Sequence, residues 1–195
     1  ERVRYVLTDF QIIRKPMMKM RLLFTFFVFI LTVPEILAQE NMIYVEAPEL
    51  VISEWINGDP GTLEDMRGKV IVIDFFQMSS LGCRAFLIPL MARWEKMYKD
   101  RDDIIFLSIH TVFSDHQSQT PSLLEEYVKE HEITRPVGVD TCDPKGSIPV
   151  TMKRYKTGGT PCITIIDNKG TIRFKQLGNF DVDGAEKLLD RLLMK

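Results

Sequence analysis

From residue 50 onward, apolar positions along the chain alternate between two rhythms. "LVISEWI" (Leu50 to Ile56) reads as a strand, and the "NGDPG" after it is turn chemistry. "VIVIDFF" (Val70 to Phe76) is a continuous β-branched and aromatic run, the pattern of a strand covered on both faces. From Cys83 to Lys99, residues Phe86, Leu87, Leu90, Met91, Trp94, Met97 and Tyr98 recur at spacings of three and four, one face of an amphipathic helix. "DIIFLSIHTVF" is a second buried-strand run, followed by a polar loop, Ser114 to Thr120. Pro121 opens a helix with Leu124, Tyr127, Val128 and His131 along one side. "PVGVD" predicts a short strand, "DPKGSIPVTMKRYKTGG" a turn and a short helix, and "CITIID" with "TIRFKQL" a hairpin closed by "NKG". "VDGAEKLLDRLLMK" is a final helix. Strands alternating with helices before a closing hairpin and helix predict an α/β protein, with a mixed sheet between helices.

Upstream the pattern changes. Arg14, Lys15, Lys19 and Arg21 precede "LLFTFFVFILTV" (Leu22 to Val33), which leads through Pro34 to Ala38. A charged start, about a dozen apolar residues and a small residue beyond them make a secretory signal peptide. The apolar run is shorter than the roughly 20 residues that span a bilayer. The expected organisation is upstream, unstructured translation at 1–16, a signal peptide at 17–38 and a folded domain at 39–195. A membrane anchor retained at 22–33 is the alternative to cleavage after Ala38. Export to the periplasm or cell envelope follows from either.

Composition narrows the function classes. A formal net charge of -2 over 195 residues leaves no basic footprint, so nucleic acid is not an expected partner. The 3 cysteines, Cys83, Cys142 and Cys162, are too few for a disulfide scaffold, and an odd number leaves one thiol unpaired within a monomer. His110, His116 and His131 show no metal-ligand spacing, so neither metal nor organic cofactor is expected. Cys142, between Asp140 and Asp143, reads as an incidental loop thiol.

The chemistry-bearing positions then fall in a recognisable order. Asp74 lies inside an apolar strand, "SSLGC" starts the next helix, Pro89 follows Cys83 by six residues, and "GGTP" precedes a later strand. Over roughly residues 45 to 195 this resembles the thioredoxin fold, in its exported TlpA-like branch of thiol–disulfide oxidoreductases and redoxins. The resemblance implies a central mixed sheet flanked by helices, with Pro161 as a cis-proline against the redox turn. It also implies Thr160 as a backbone edge for an extended substrate, and Asp74 as a buried proton acceptor. The partners implied are protein thiols or disulfides, or an extended peptide, with electrons arriving from a membrane redox partner. The departure is Ser80, which stands where the family has its attacking cysteine and leaves an SxxC.

Thiol–disulfide exchange needs a thiolate to attack and, in a dithiol site, a second thiol to resolve the mixed disulfide. A serine hydroxyl is too weak an acid to do the first. Three readings stay open: Cys83 paired with Cys162 as a relocated dithiol, Cys83 as a peroxiredoxin-type single thiol, or a redox-inactive domain that binds a peptide by strand addition.

Overall fold

The computed structural model describes residues 45–194. The chain separates into two units, Glu1–Ile43 and Tyr44–Lys195, and every described residue belongs to the second. The leader, signal-peptide and anchor assignments at 1–16, 17–38 and 22–33 lie outside the described residues. Among the described residues, no helix is long and apolar enough to cross a membrane.

Six strands form one sheet in the order β1-β4-β3-β2-β5-β6, with β1 at Ile52–Ile56, β2 at Val70–Phe76, β3 at Ile104–His110, β4 at Val137–Asp140, β5 at Cys162–Ile166 and β6 at Ile172–Leu177. Strand β2 pairs parallel with β3 and antiparallel with β5, so all seven of its residues are buried, as its unbroken apolar run predicts. The β5–β6 pairing is antiparallel, the hairpin expected around "NKG". Helices α1 (Ile88–Met97), α2 (Pro121–Glu130), α3 (Val150–Tyr155) and α4 (Val182–Leu193) complete the domain.

Register sorts the side chains onto two faces. Val70 and Val72 of β2 join Ile163 and Ile165 of β5 under α1 and α4, where Trp94 and Leu189 are fully buried. The Phe86 and Trp94 stripe is therefore core. On the opposite face, Ile71, Ile73 and Phe75 pack with Leu107, Ile109 and Tyr155 beneath Leu63 and Met66. A third cluster gathers Phe76, Met78, Cys83, Leu124, Tyr127 and Val128 between the end of β2 and α2. Each fully buried large side chain contributes about 1.5–3 kcal/mol by leaving water.

The helix expected from Cys83 begins differently. The helix opens at Leu81 and Gly82, residues Cys83–Leu87 form a π-helical stretch closed by Ile88 N–H donating to the Cys83 carbonyl, and regular α-helix resumes at Ile88. Pro89 explains the boundary: it has no N–H to continue an α ladder back through that turn. On α2, Thr120 accepts the Leu123 N–H as N-cap ahead of Pro121.

Candidate active site

The site forms where β2 leaves the sheet. After Phe76 the chain turns through Gln77 to Ser80, with Ser80 N–H donating to the Gln77 carbonyl at 3.1 Å. Ser80 then caps the next turn: its Oγ accepts the Cys83 N–H at 3.3 Å, and its carbonyl accepts the Arg84 N–H at 3.1 Å. Serine is among the best residues for satisfying amides at a helix start, so this side chain has a structural role without any redox chemistry. It is half-buried, whereas Leu81 beside it is 72% exposed.

Pro161 closes the other side. The Thr160–Pro161 peptide bond is cis. Gly82 carries no side chain where it meets this proline: a Cβ there would stand 3.0 Å from Pro161 Cδ and 3.3 Å from Cγ. Thr160 Oγ1 donates to Gln77 Oε1 at 3.4 Å, and among the described residues its backbone N–H and carbonyl make no hydrogen bond. That leaves a short polar edge beside the cysteine turn.

Cys83 is fully buried among Phe76, Ile88 and Tyr127. Burial pushes its thiol above the usual range, and the Ser80 and Thr160 hydroxyls and the Gln77 backbone oppose that without reversing it. The negative charge of Asp74 adds to the upward shift. A peroxide-reducing thiol must be open and acidic. Cys83 is buried with its thiol raised, which disfavours the peroxiredoxin-type reading and equally requires the turn to open before Cys83 attacks any partner; Arg84, its basic neighbour, is exposed.

Cys162 is not brought to Cys83. In the β2–β5 ladder it pairs with Phe75, which puts its side chain on the face occupied by Phe75 and Tyr155, while Cys83 packs with Phe76 on the other. Its thiol is buried, its Sγ lies 3.8 Å from the Ile163 carbonyl, and burial pushes its pKa to about 11. The three cysteines are free. The relocated dithiol is therefore corrected, because period-two alternation sends neighbouring residues of a strand to opposite faces.

Asp74, also fully buried, sits opposite Ser108 in the β2–β3 register. Ser108 Oγ donates to Asp74 Oδ1, Arg135 Nε donates to Ser108 Oγ at 2.6 Å and lies 3.5 Å from Asp74 Oδ1, and Arg135 Nη1 bonds Glu95 Oε2 at 2.7 Å. Burial holds the Asp74 carboxyl above its ordinary value, opposed by the Arg135 charge and the Ser108 hydrogen bond. Asp74 Oδ2 is buried with no hydrogen-bond partner.

Sequence reasoning missed Ser108, Arg135, Glu95 and Gln77. The even positions of the β3 run could have placed Ser108 opposite Asp74. Nothing local marks Arg135, which lies in the link before β4. Among the described residues, no group of three His, Cys, Asp or Glu side chains is arranged to hold a metal ion.

A mixed sheet flanked by helices, with a cysteine turn facing a cis-proline at the carboxyl end of a central strand, defines a thioredoxin-like protein. No family model matches the chain. Solved structures do: a thioredoxin-like superfamily protein is 38% identical, covering 77% of this chain and 97% of that one at a TM-score of 0.73. A thiol-disulfide isomerase from Corynebacterium glutamicum is 37% identical, over 76% of this chain and 97% of its own, at 0.71. The chain belongs to the thioredoxin-like superfamily and has the fold of its thiol–disulfide oxidoreductases. It is also 28% identical, over 151 residues and 75% of its length, to Protein DipZ of Mycobacterium tuberculosis, and it spans 20% of the length of that relative.

Proposed function

We propose that this chain is a TlpA-like thiol–disulfide oxidoreductase that works with one site thiol, holding cysteine-containing polypeptides at the Thr160–Pro161 edge and exchanging with them through Cys83. The observation that carries this reading is Ser80 in the capping position of the turn, with Cys83 the one cysteine there. The open backbone of Thr160 and the exposed Leu81 support an extended, partly apolar partner.

In the proposed step the Cys83 thiolate attacks one sulfur of a substrate disulfide. A Cys83–substrate S–S bond forms as the substrate bond breaks, and the other half departs as a thiolate. Asp74, with Oδ2 unpartnered, takes the thiol proton. Without a second site thiol, release requires a thiol from another protein, which makes the mixed disulfide long-lived. The charged start and apolar run at 14–33 support work outside the cytosol, in the periplasm or cell envelope, either free or anchored, with a membrane redox partner supplying electrons.

The test is non-reducing mass spectrometry after incubation with a disulfide-linked model peptide. A peptide adduct mapped to Cys83 and absent from Cys83→Ser is expected. The complete burial of Cys83 favours a second reading, a binding module without chemistry. That reading predicts no adduct, with equal affinity of wild type and Cys83→Ser for the reduced peptide.

A further inference from the structure

The pocket that encloses Cys83 holds one polar group with nothing to bond. Tyr127 of α2 is 9% exposed, and its hydroxyl oxygen is buried without a hydrogen-bond partner. A buried tyrosine ordinarily commits its O–H to an acceptor. The ring is fixed in its plane, stacking on Phe76 with centroids 6.1 Å apart and on His131 at 3.9 Å. Phe76 and Tyr127 both belong to the cluster around Cys83. Burial first, and a negative charge on Cys83 next, push the phenol up to about 12. The hydroxyl therefore lies close enough to the sulfur to feel its charge, and it keeps its proton wherever a cysteine ordinarily ionises.

The thiolate of this site has to form out of water. Asp74, which takes the thiol proton in the proposed exchange, is fully buried, so the transfer occurs while the turn is closed. It leaves an anionic sulfur in an apolar pocket, where only hydrogen-bond donors can offset the lost hydration. The Ser80 and Thr160 hydroxyls and the Gln77 backbone act in that direction without bringing the thiol down to its usual range. Thr160 Oγ1 is already engaged with Gln77 Oε1 at 3.4 Å, whereas the Tyr127 O–H has no competing acceptor.

We infer that Tyr127 is a further catalytic residue of this site, whose O–H turns to the Cys83 sulfur as the thiol ionises and holds the thiolate until the turn opens. The proton leaving sulfur goes to Asp74, and Tyr127 keeps its own. A neutral thiol is a weak acceptor, which accounts for the idle hydroxyl of the resting state, and a hydrogen bond to an anion is roughly twice as strong as a neutral one. Once the thiolate bonds to a substrate sulfur, the charge departs with the leaving thiolate and the hydroxyl is released. The inference rests on Cys83 being the site thiol. The other titratable groups around the pair are Asp74 on β2, Arg84 in the turn, and Glu130 and His131 on α2, with His110 of β3 against Phe76. Removing the Tyr127 oxygen alters none of them.

The test follows the cysteine β-carbon resonances of the isotope-labelled full chain by nuclear magnetic resonance, from about pH 6 to about pH 11, with Cys83 assigned through Cys83→Ser. Tyr127→Phe, which removes one oxygen, should raise the Cys83 midpoint by about one pH unit, the tenfold effect of a hydrogen bond to a charged group. Near neutral pH it should slow formation of the Cys83 adduct with the disulfide-linked model peptide about tenfold, in step with the smaller thiolate fraction. The urea midpoint of Tyr127→Phe should equal or exceed that of wild type, because the resting hydroxyl has no bond to lose. Coincident Cys83 midpoints overturn the inference, as does a wild-type thiol that has not begun to titrate by about pH 11. A lowered urea midpoint overturns it too, since the hydroxyl would then have a structural partner. A wild type that forms no peptide adduct but shows the one-unit shift would sink the exchange reading and still uphold Tyr127 as the donor.

Discussion

Ser80 Oγ accepts the backbone N–H of Cys83 at 3.3 Å, so a hydroxyl occupies the outer corner of the turn in which the chain carries its site thiol. The unpaired amides of a helix start favour negative charge at that corner. A neutral cap uses the position without exploiting the charge preference. The inner thiol, Cys83, is buried and raised in pKa.

Restoring sulfur at that corner should restore two-thiol chemistry. Ser80→Cys places a half-exposed thiol three residues before Cys83 and beside Pro161. Its rate of insulin disulfide reduction should exceed that of wild type by at least about tenfold, since attack and resolution then occur in one site. An unchanged rate, with the protein folded, would mean that this turn is not a redox site.

Cys162, by contrast, should prove replaceable. Cys162→Ala removes a buried thiol from the Phe75 and Tyr155 face, and a loss of about 1–2 kcal/mol in urea unfolding is expected. Adduct formation at Cys83 should be unaffected. An oxidant-induced Cys83–Cys162 bond in the native protein would contradict the opposite-face placement.

Why Cys162 misled and "VIVIDFF" did not comes down to range. A central strand is buried on both faces whatever its register, so its apolar run declares it locally, and the sheet, the hairpin and the Trp94 stripe were legible in the same way. The face to which one residue of β5 points depends on its register with β2, and a slip of one residue reverses it. The "SSLGC" turn and Pro161 were legible as a spaced pair, and Gly82 shows how closely they meet. Arg135 was not legible, because its contact with Asp74 depends on where the link before β4 returns over the sheet.

His110 should make stability fall on acidification. Burial lowers its pKa from 6.5 to about 4, so the unfolded chain takes up a proton at a pH where the folded chain does not. Its contribution is fully present above about pH 6.5 and is lost as pH falls toward 4, on the order of 3 kcal/mol in all. Asp74 and Asp140, whose carboxyls are raised, act in the opposite direction, so wild type must be compared with His110→Phe. Between pH 7 and 4, the stability of wild type relative to that variant should drop by about 3 kcal/mol in urea titrations. A pH-independent difference would show that the ring is not held neutral.

Arg135 and Asp74 should behave as one unit. The Arg135 side chain is 2% exposed and lies 3.5 Å from Asp74 Oδ1, with Ser108 bonded to both. Arg135→Met leaves a buried carboxylate without its cation, at a cost of about 3–5 kcal/mol near neutral pH. Asp74→Asn costs less, because Arg135 keeps Glu95 at 2.7 Å. The double variant should fall short of the summed losses by about 1–3 kcal/mol, the coupling expected of contacting charges. Sign gives a second readout. Without Arg135 the folded-state pKa of Asp74 rises further, so Arg135→Met should lose stability as pH rises through that value. Asp74→Asn/Arg135→Met should lack this dependence. Additive losses and parallel pH profiles for the single and double variants would mean that the ion pair does not set the charge state of Asp74.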